Sequence, residues 1–259
     1  MPTSSTTHDI ERIVALGASN LTRGFHTVVS TARAIWGHEI EIFAALGHGR
    51  SYGAPSQFLF RTLPGILKSG LWSELEARPE KPTRALVTDV GNDILYGFSV
   101  KRILGWVEET LARLSRLTGD IVLTNLPLAS VRRLSNRKFL FLRTVLAPTC
   151  QLSLAQVLDR AGQVNEGLIL LAKRFDARLF HLNQNWYGFD PIHIRPSLWR
   201  PAWRQILGVE PDRSVATASF FEAVRLYLMK PERRWLWRWE QVTPQGGVAL
   251  KRGGRVWLY

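Results

Sequence analysis

Residues 12–25 of the chain read RIVALGASNLTRGF, a short aliphatic run followed by a Gly-Ala-Ser-Asn turn. The run Arg12–Leu16 is typical of a buried β-strand. Helical periodicity follows, and we place the first helix at Gly24–Trp36. Ser19 lies between the two elements, where a serine either caps the helix or stands at the edge of a sheet as a nucleophile. This stretch therefore predicts an α/β fold and makes Ser19 a candidate catalytic residue.

The same alternation of strand and helix continues along the chain. Further strands are predicted at Glu39–Ala45, Arg84–Thr88, Asp120–Thr124 and Arg178–Leu182, and further helices at Ser56–Lys68, Ser99–Leu117 and Ala155–Phe175. Repeated βα units favour a three-layer α/β/α sandwich with a central five-stranded parallel sheet. Because right-handed crossovers place the carboxyl ends of the strands at one edge, motifs that follow the strands should converge there.

Two segments fall outside this alternation. Ser130–Gln151 is basic and apolar without a clean period, so it either covers the site as a cap or extends the following helix. Beyond Arg213 the pattern predicts a helix at Val215–Leu228 and then short strands with glycine turns. We therefore divide the chain into a domain of residues 1–212 and a basic, Trp-rich extension of residues 213–259 that packs on it.

The composition is that of a globular protein, with 46% hydrophobic and 21% charged residues. Cys150 is the one cysteine, which excludes an internal disulfide and a cysteine-based zinc site. The first residues, Met1–Glu11, contain no apolar segment of the kind found in secretion signals, and no stretch has the length needed to span a bilayer. We expect a cytoplasmic protein.

The formal net charge is +13, and nearly all of the excess lies in residues 131–259. Such a charge allows nucleic acid or an anionic membrane surface as partners, although a basic solvated surface is the commoner explanation. Within Arg233–Trp239, basic and aromatic residues alternate. That pattern suits a membrane or base-stacking contact, or a strand whose tryptophans pack on one face. We favour the solvated surface and the packed strand.

Three more motifs follow predicted strands. Gly47-His48-Gly49-Arg50-Ser51 follows the second, where a glycine allows a backbone N–H to approach a substrate oxygen. Gly91-Asn92-Asp93 follows the third, and an asparagine amide can donate to a developing oxyanion. Asp190-Pro191-Ile192-His193 follows the fifth, and an aspartate three residues before a histidine can hold its Nδ1–H and leave Nε2 free as a base. Each motif alone also occurs in ordinary turns.

Taken in order, the serine, the glycine, the asparagine and the Asp-x-x-His pair resemble the four blocks of SGNH/GDSL hydrolases, over roughly residues 12–196. The resemblance implies the flavodoxin-like sheet of that family and a small-molecule ester as substrate, with no metal and no cofactor. By the same resemblance Ser19, Asp190 and His193 form the catalytic triad. The oxyanion hole then consists of the Ser19 N–H, Gly49 (or Gly47) and Asn92.

The sequence departs from the family pattern in two places. Ala18 stands where the family has an aspartate before the nucleophile, and Val90 replaces the first glycine of the third block. The other histidines, His26, His38, His48 and His181, show no metal-like spacing, although His48 is a candidate for the wall of the site.

One competing motif points to another nucleophile. Gly49-Arg50-Ser51-Tyr52-Gly53 matches the Gly-x-Ser-x-Gly elbow of α/β-hydrolases, which would make Ser51 the nucleophile. Too few strands precede it for that fold, and the Gly-Asn-Asp motif would then have no role. The sequence thus favours a serine esterase that acts through an acyl-enzyme on Ser19. Acyl transfer on the same triad, or a basic binding module on a degenerate hydrolase scaffold, are the alternatives.

Overall fold

The computed structural model describes residues 10–208 and 220–259, in which strands alternate with helices. The strands are β1 (Arg12–Leu16), β2 (Glu41–Ala45), β3 (Ser56–Phe58), β4 (Arg61–Leu63), β5 (Thr83–Val87), β6 (Asp120–Thr124), β7 (Arg178–Phe180), β8 (Arg233–Leu236), β9 (Trp239–Val242), β10 (Val248–Ala249) and β11 (Arg255–Leu258). The α-helices are α1 (Ser19–Trp36), α2 (Leu71–Glu76), α3 (Asn92–Leu95), α4 (Val100–Leu114), α5 (Leu128–Val131), α6 (Asn136–Leu146), α7 (Leu154–Arg174), α8 (Trp199–Leu207) and α9 (Phe220–Tyr227).

A seven-stranded sheet forms the centre, in the order β10-β11-β2-β1-β5-β6-β7, and only β10 runs antiparallel to its neighbour. The strands predicted from the sequence are β2-β1-β5-β6-β7, which is the flavodoxin-like order. Their ends lie within about two residues of the predicted ends. Every residue of β1 is buried, because helices cover both faces of a parallel sheet.

Helices lie on both faces of this sheet and create two cores. On one face α1 packs against α8 and α9, with Val28 and Trp203 fully buried. On the other face α4 packs against α7, with Ile103 and Leu168 fully buried. The three-layer α/β/α arrangement is therefore confirmed.

The number of strands differs from the prediction, which was five. β11 pairs in parallel with β2, and Trp257 stacks on Phe43 with ring centroids 4.5 Å apart. The four apolar residues Val256–Tyr259 do not by themselves indicate with which distant strand they pair. The pairing depends on the edge of β2, which is present only when the rest of the sheet has formed. The predicted domain boundary at 212/213 lies outside the described residues, and the division stays a prediction.

The predicted helix at Ser56–Lys68 is wrong. The segment forms the hairpin of β3 and β4 followed by a 3₁₀ turn at Ile66–Lys68, and the hairpin joins β8 and β9 in a four-stranded antiparallel sheet. Leu59 takes a positive φ of 56° in the turn, and Pro64 has no N–H to donate within a helix. The apolar residues that suggested helical periodicity instead belong to a twisted hairpin.

The segment 130–151 forms its own helix and does not extend the following one. Ser135 caps α6, and α7 begins separately with a capping box formed by Ser153 and Gln156. The Arg143 guanidinium donates to the Leu152 carbonyl at 3.1 Å and ties the two helices together at their junction.

The tryptophans of the C-terminal part do not all pack as predicted. Trp235 is half-buried, but Trp237 and Trp239 are 80% and 81% exposed. Trp237 occupies the turn between β8 and β9 with a positive φ of 58°, and Trp239 lies on the outermost strand of the small sheet. Within residues 10–208 and 220–259, no helix combines the length and the apolar character needed to cross a membrane.

Candidate active site

Three of the predicted residues are joined in a hydrogen-bonded chain. The Nε2 atom of His193 lies 2.8 Å from the Ser19 hydroxyl, and its Nδ1 atom lies 2.6 Å from Oδ2 of Asp190. Burial raises the pKa of Asp190, but the hydrogen bond and charge of His193, the Ile192 N–H and the charge of Arg23 together bring this pKa below its usual value. Asp190 therefore stays ionised and can orient the histidine. The geometry is that of a nucleophile, a base and an orienting carboxylate.

The turn that carries Ser19 is held by a carboxylate from the loop after β5. Oδ2 of Asp89 accepts hydrogen bonds from the backbone N–H groups of Ala18 (2.9 Å) and Leu21 (3.1 Å) at the start of α1. Gly17 allows this turn to lie close to Thr88, the residue before Asp89, since a Cβ at position 17 would come within 2.6 Å of the Thr88 side chain. α1 thus begins at Ser19 and not at Gly24 as predicted, because Asp89 satisfies helix N–H groups that Ala18 cannot.

Asn20 links this turn to the segment that carries His193. Its Nδ2 atom donates to Asp89 (2.9 Å) and to the Ile192 carbonyl (2.8 Å), and its Oδ1 atom accepts from the Ile194 N–H (2.8 Å). The Asn20 side chain therefore forms hydrogen bonds with the main chain on both sides of His193. Sequence reasoning missed Asn20 and Asp89; the position of Asp89 directly after a buried strand is the one signal that could have indicated it.

We expect Asp89→Ala to lower both stability and turnover. The free energy of unfolding should fall by about 1–3 kcal/mol, because two helix N–H groups and the Asn20 amide lose their acceptor. Turnover should fall as well, since the distance between Ser19 and His193 is no longer fixed. Urea unfolding and steady-state kinetics measure the two effects. The control is Asp159→Ala on the exposed side of α7, and equal effects of the two variants would contradict the role of Asp89.

Two of the predicted oxyanion donors, the Asn92 amide and the Ser19 N–H, belong to residues that line one cavity. Nδ2 of Asn92 is buried and has no hydrogen-bond partner among the described residues, and Asn92 lines the same cavity as Ser19. The Ser19 N–H opens the helix and so has no acceptor within it. Because an unpaired buried donor is costly, a substrate oxygen at this place would satisfy it.

Gly49 occupies a backbone conformation that favours glycine, with φ at 66°. Its carbonyl accepts a hydrogen bond from the Tyr96 hydroxyl at 2.5 Å, and a Cβ would come within 2.7 Å of that hydroxyl oxygen. The contribution of its N–H to an oxyanion hole stays a prediction, as does the choice between Gly49 and Gly47.

An apolar cavity of about 120 Å³ opens at Ser19. The segment Leu128–Leu134 and α6 form one wall of this cavity. Of the two alternatives for Ser130–Gln151, a cap or an extension of the following helix, the structure therefore supports the cap. Among the side chains that line the cavity are Leu95, Leu126, Val131, Leu134, Phe139 and Val157.

Ser51, the competing nucleophile, is buried in a turn. Its hydroxyl oxygen accepts hydrogen bonds from the N–H groups of Gly53 (3.2 Å) and Ala54 (3.0 Å), and it is fully inaccessible. The segment that follows leads into β3 and not into a helix, whereas the elbow motif requires a strand-to-helix turn. The elbow interpretation is therefore wrong.

Comparison with known proteins gives similar solved structures only. No family model matches the chain, and no curated protein matches it. The psychrotrophic esterase EstA from Pseudoalteromonas sp. is 15% identical over 76% of this chain and 94% of that chain, with a TM-score of 0.48. A lipolytic protein of the G-D-S-L family from Veillonella parvula is 12% identical over 78% and 98%, also with a TM-score of 0.48. AlinE4, an SGNH-hydrolase family esterase, is 15% identical over 85% and 93%, with a TM-score of 0.40. The activity of this chain therefore has to follow from its own site.

Proposed function

We propose that this chain is a serine hydrolase of the SGNH/GDSL type that cleaves a carboxylic ester through an acyl-enzyme on Ser19. One observation carries the proposal: the hydrogen-bonded chain from Ser19 through His193 to Asp190 begins beside the buried, unpaired amide of Asn92. Ser19 and Asn92 line one cavity, and His193 and Asp190 are joined to Ser19 by hydrogen bonds, which supports the roles of nucleophile, oxyanion donor, base and orienting group. The order of the four sequence motifs supports the same family.

The reaction begins with attack of the Ser19 hydroxyl oxygen on the ester carbonyl carbon, while Nε2 of His193 takes the hydroxyl proton. Asp190 stabilises the imidazolium that forms. Nδ2 of Asn92 and the Ser19 N–H donate to the oxyanion. The tetrahedral species collapses when His193 returns the proton to the leaving alcohol. A water molecule then attacks the acyl-enzyme, His193 takes its proton, and the acid leaves as Ser19 is protonated again.

The acyl part of the substrate fits the apolar cavity. Apolar side chains supply most of its lining, so binding is favoured by burial of methylene groups and disfavoured by burial of an unpaired polar group. We therefore expect kcat/KM to rise with acyl length over a series of aryl esters until the chain fills the cavity. Polar acyl groups of equal length should be poor substrates. Added alcohols in the same assay would reveal acyl transfer as a competing second step.

The binding-module alternative does not account for the triad. A scaffold that had lost catalysis has no need to keep a 2.8 Å contact between Ser19 and His193 or an unpaired amide on Asn92.

We expect Asn92→Ala to lower kcat by about 10²–10³-fold, the usual cost of losing one oxyanion donor. Because the Nδ2 group is unpaired in the free protein, its removal should leave the free energy of unfolding unchanged or higher. Loss of activity together with full stability separates an oxyanion donor from a structural residue. Asn136→Ala, at the exposed first residue of α6, is the matched control for kinetics and thermal unfolding. Equal activity of the two variants would remove Asn92 from the mechanism.

A further inference from the structure

A second cavity, of about 300 Å³, is lined by basic side chains together with apolar ones such as Phe25, Leu226 and Met229. α1, the loop after β2, strand β4 and the residues from α9 to β8 contribute to it. Its basic and histidine side chains are Arg23, His26, His48, Arg61, Lys230 and Arg234. None of the described residues that line this basic cavity is an aspartate or a glutamate.

Positive charges in the basic cavity act on one another. Burial and the neighbouring charge of Arg234 lower the pKa of Arg61. Burial and the charges of Arg23, Arg61 and His193 lower the pKa of His48 to about 4. Arg234 donates its Nε–H to Gln241 at 2.7 Å, which fixes the guanidinium without neutralising it. Like charges held together in a half-buried space are unfavourable, and an anion would relieve them.

The basic cavity and the apolar cavity lie on opposite sides of β1. β1 lies between β2 and β5 in the sheet. The loop after β2 lines the basic cavity, whereas residues that follow β5 and β6 line the apolar cavity. Arg23 lies one helical turn beyond Ser19. Burial raises the pKa of Asp190, and the charge of Arg23 is one of the contributions, smaller than that of His193, that bring this pKa below its usual value. Ser19 lines the apolar cavity, and Thr22 and Arg23, which follow it on α1, line the basic one, so an ester with its carbonyl at Ser19 would direct its two arms toward the two cavities.

We propose that the substrate is an ester whose alcohol part carries a phosphate group, bound in the basic cavity by Arg61, Arg234 and Lys230. The inference rests on the proposed function and names the substrate class for the same site. Guanidinium groups match phosphate oxygens in paired hydrogen bonds, and several cations around one space suit a group of up to two negative charges. Hydrolysis would then release a carboxylic acid from the apolar cavity and a phosphate-bearing alcohol from the basic one; water supplies the hydroxyl group of the acid, and its remaining proton balances the one taken up by the alcohol.

The test compares two esters with the same short acyl chain, a 1-acylglycerol and the corresponding 1-acylglycerol 3-phosphate. The wild-type enzyme should show a kcat/KM at least about tenfold higher for the phosphate ester. Arg61→Gln and Arg234→Gln should each remove most of that preference. Arg238→Gln takes a charge from the exposed turn of the same segment and should leave the preference unchanged. Thermal unfolding of every variant checks that it is folded.

Direct binding keeps the inference separate from the proposed activity. Ser19→Ala should bind glycerol 3-phosphate by calorimetry, with affinity that falls with salt and falls further in the double variant with Arg61→Gln. Hydrolysis of both esters without preference, and no binding of glycerol 3-phosphate, would overturn the phosphate site and leave the esterase standing. Binding without any hydrolysis would overturn the esterase and leave the site. Presenting the phosphate ester free or in phosphatidylcholine vesicles distinguishes a soluble substrate from a lipid one.

Discussion

Ser19→Ala is expected to abolish labelling by an organophosphorus ester probe and to reduce ester hydrolysis by about four orders of magnitude or more. The reason is geometric: Ser19 has a base at 2.8 Å and an oriented carboxylate behind that base. Removing the nucleophile leaves only oxyanion stabilisation and substrate binding, which act on attack by water. Mass spectrometry of the labelled peptide and steady-state kinetics measure the two effects. Asp190→Asn should also cost a large part of the rate, because the imidazolium loses its partner.

Ser51→Ala is the matched control for this experiment. Its hydroxyl serves the turn through the N–H groups of Gly53 and Ala54, so we expect some loss of stability but retention of labelling and of most of the rate. An adduct on Ser51 would refute the assignment of Ser19. Failure of the folded protein to label at any serine would favour a non-catalytic binding role.

Trp257→Ala is expected to lower the free energy of unfolding by about 3–5 kcal/mol. Trp257 is 3% exposed, stacks on Phe43 and lies on β11, the strand that covers the edge of β2. Truncating it opens a cavity between the sheet edge and the helices of one core, and the surrounding side chains cannot close such a gap fully. Urea unfolding followed by far-ultraviolet circular dichroism measures the change without depending on tryptophan fluorescence.

Trp237→Ala provides the comparison within the same part of the chain. Trp237 is 80% exposed in the β8–β9 turn, so its truncation should change the free energy of unfolding by no more than about 0.5 kcal/mol. If the two variants were equally destabilised, the pairing of β11 with β2 would not hold. The contrast matters because the sequence presents both tryptophans in similar basic and aromatic surroundings.

The sequence by itself determined the centre of the fold and the order of the site motifs. Buried parallel strands such as Arg12–Leu16 read as continuous apolar runs, so their pattern is visible locally. The Asp190–His193 pair is likewise a local feature, since three residues of chain suffice to bring the carboxylate to the ring. Ser19 could be placed with them because parallel strands end at a common edge.

Only the tertiary structure decided which distant groups satisfy one another. Asp89 supplies a carboxylate where the sequence has Ala18, and it does so from the loop after β5, through hydrogen bonds that no local pattern indicates. Ser56–Lys68 contains a hairpin because β4 pairs with β8. Trp257 is buried in the core because β11 pairs with the edge of β2. In each case the local preference is weak, and the free energy that decides comes from backbone pairing and burial between residues far apart in sequence.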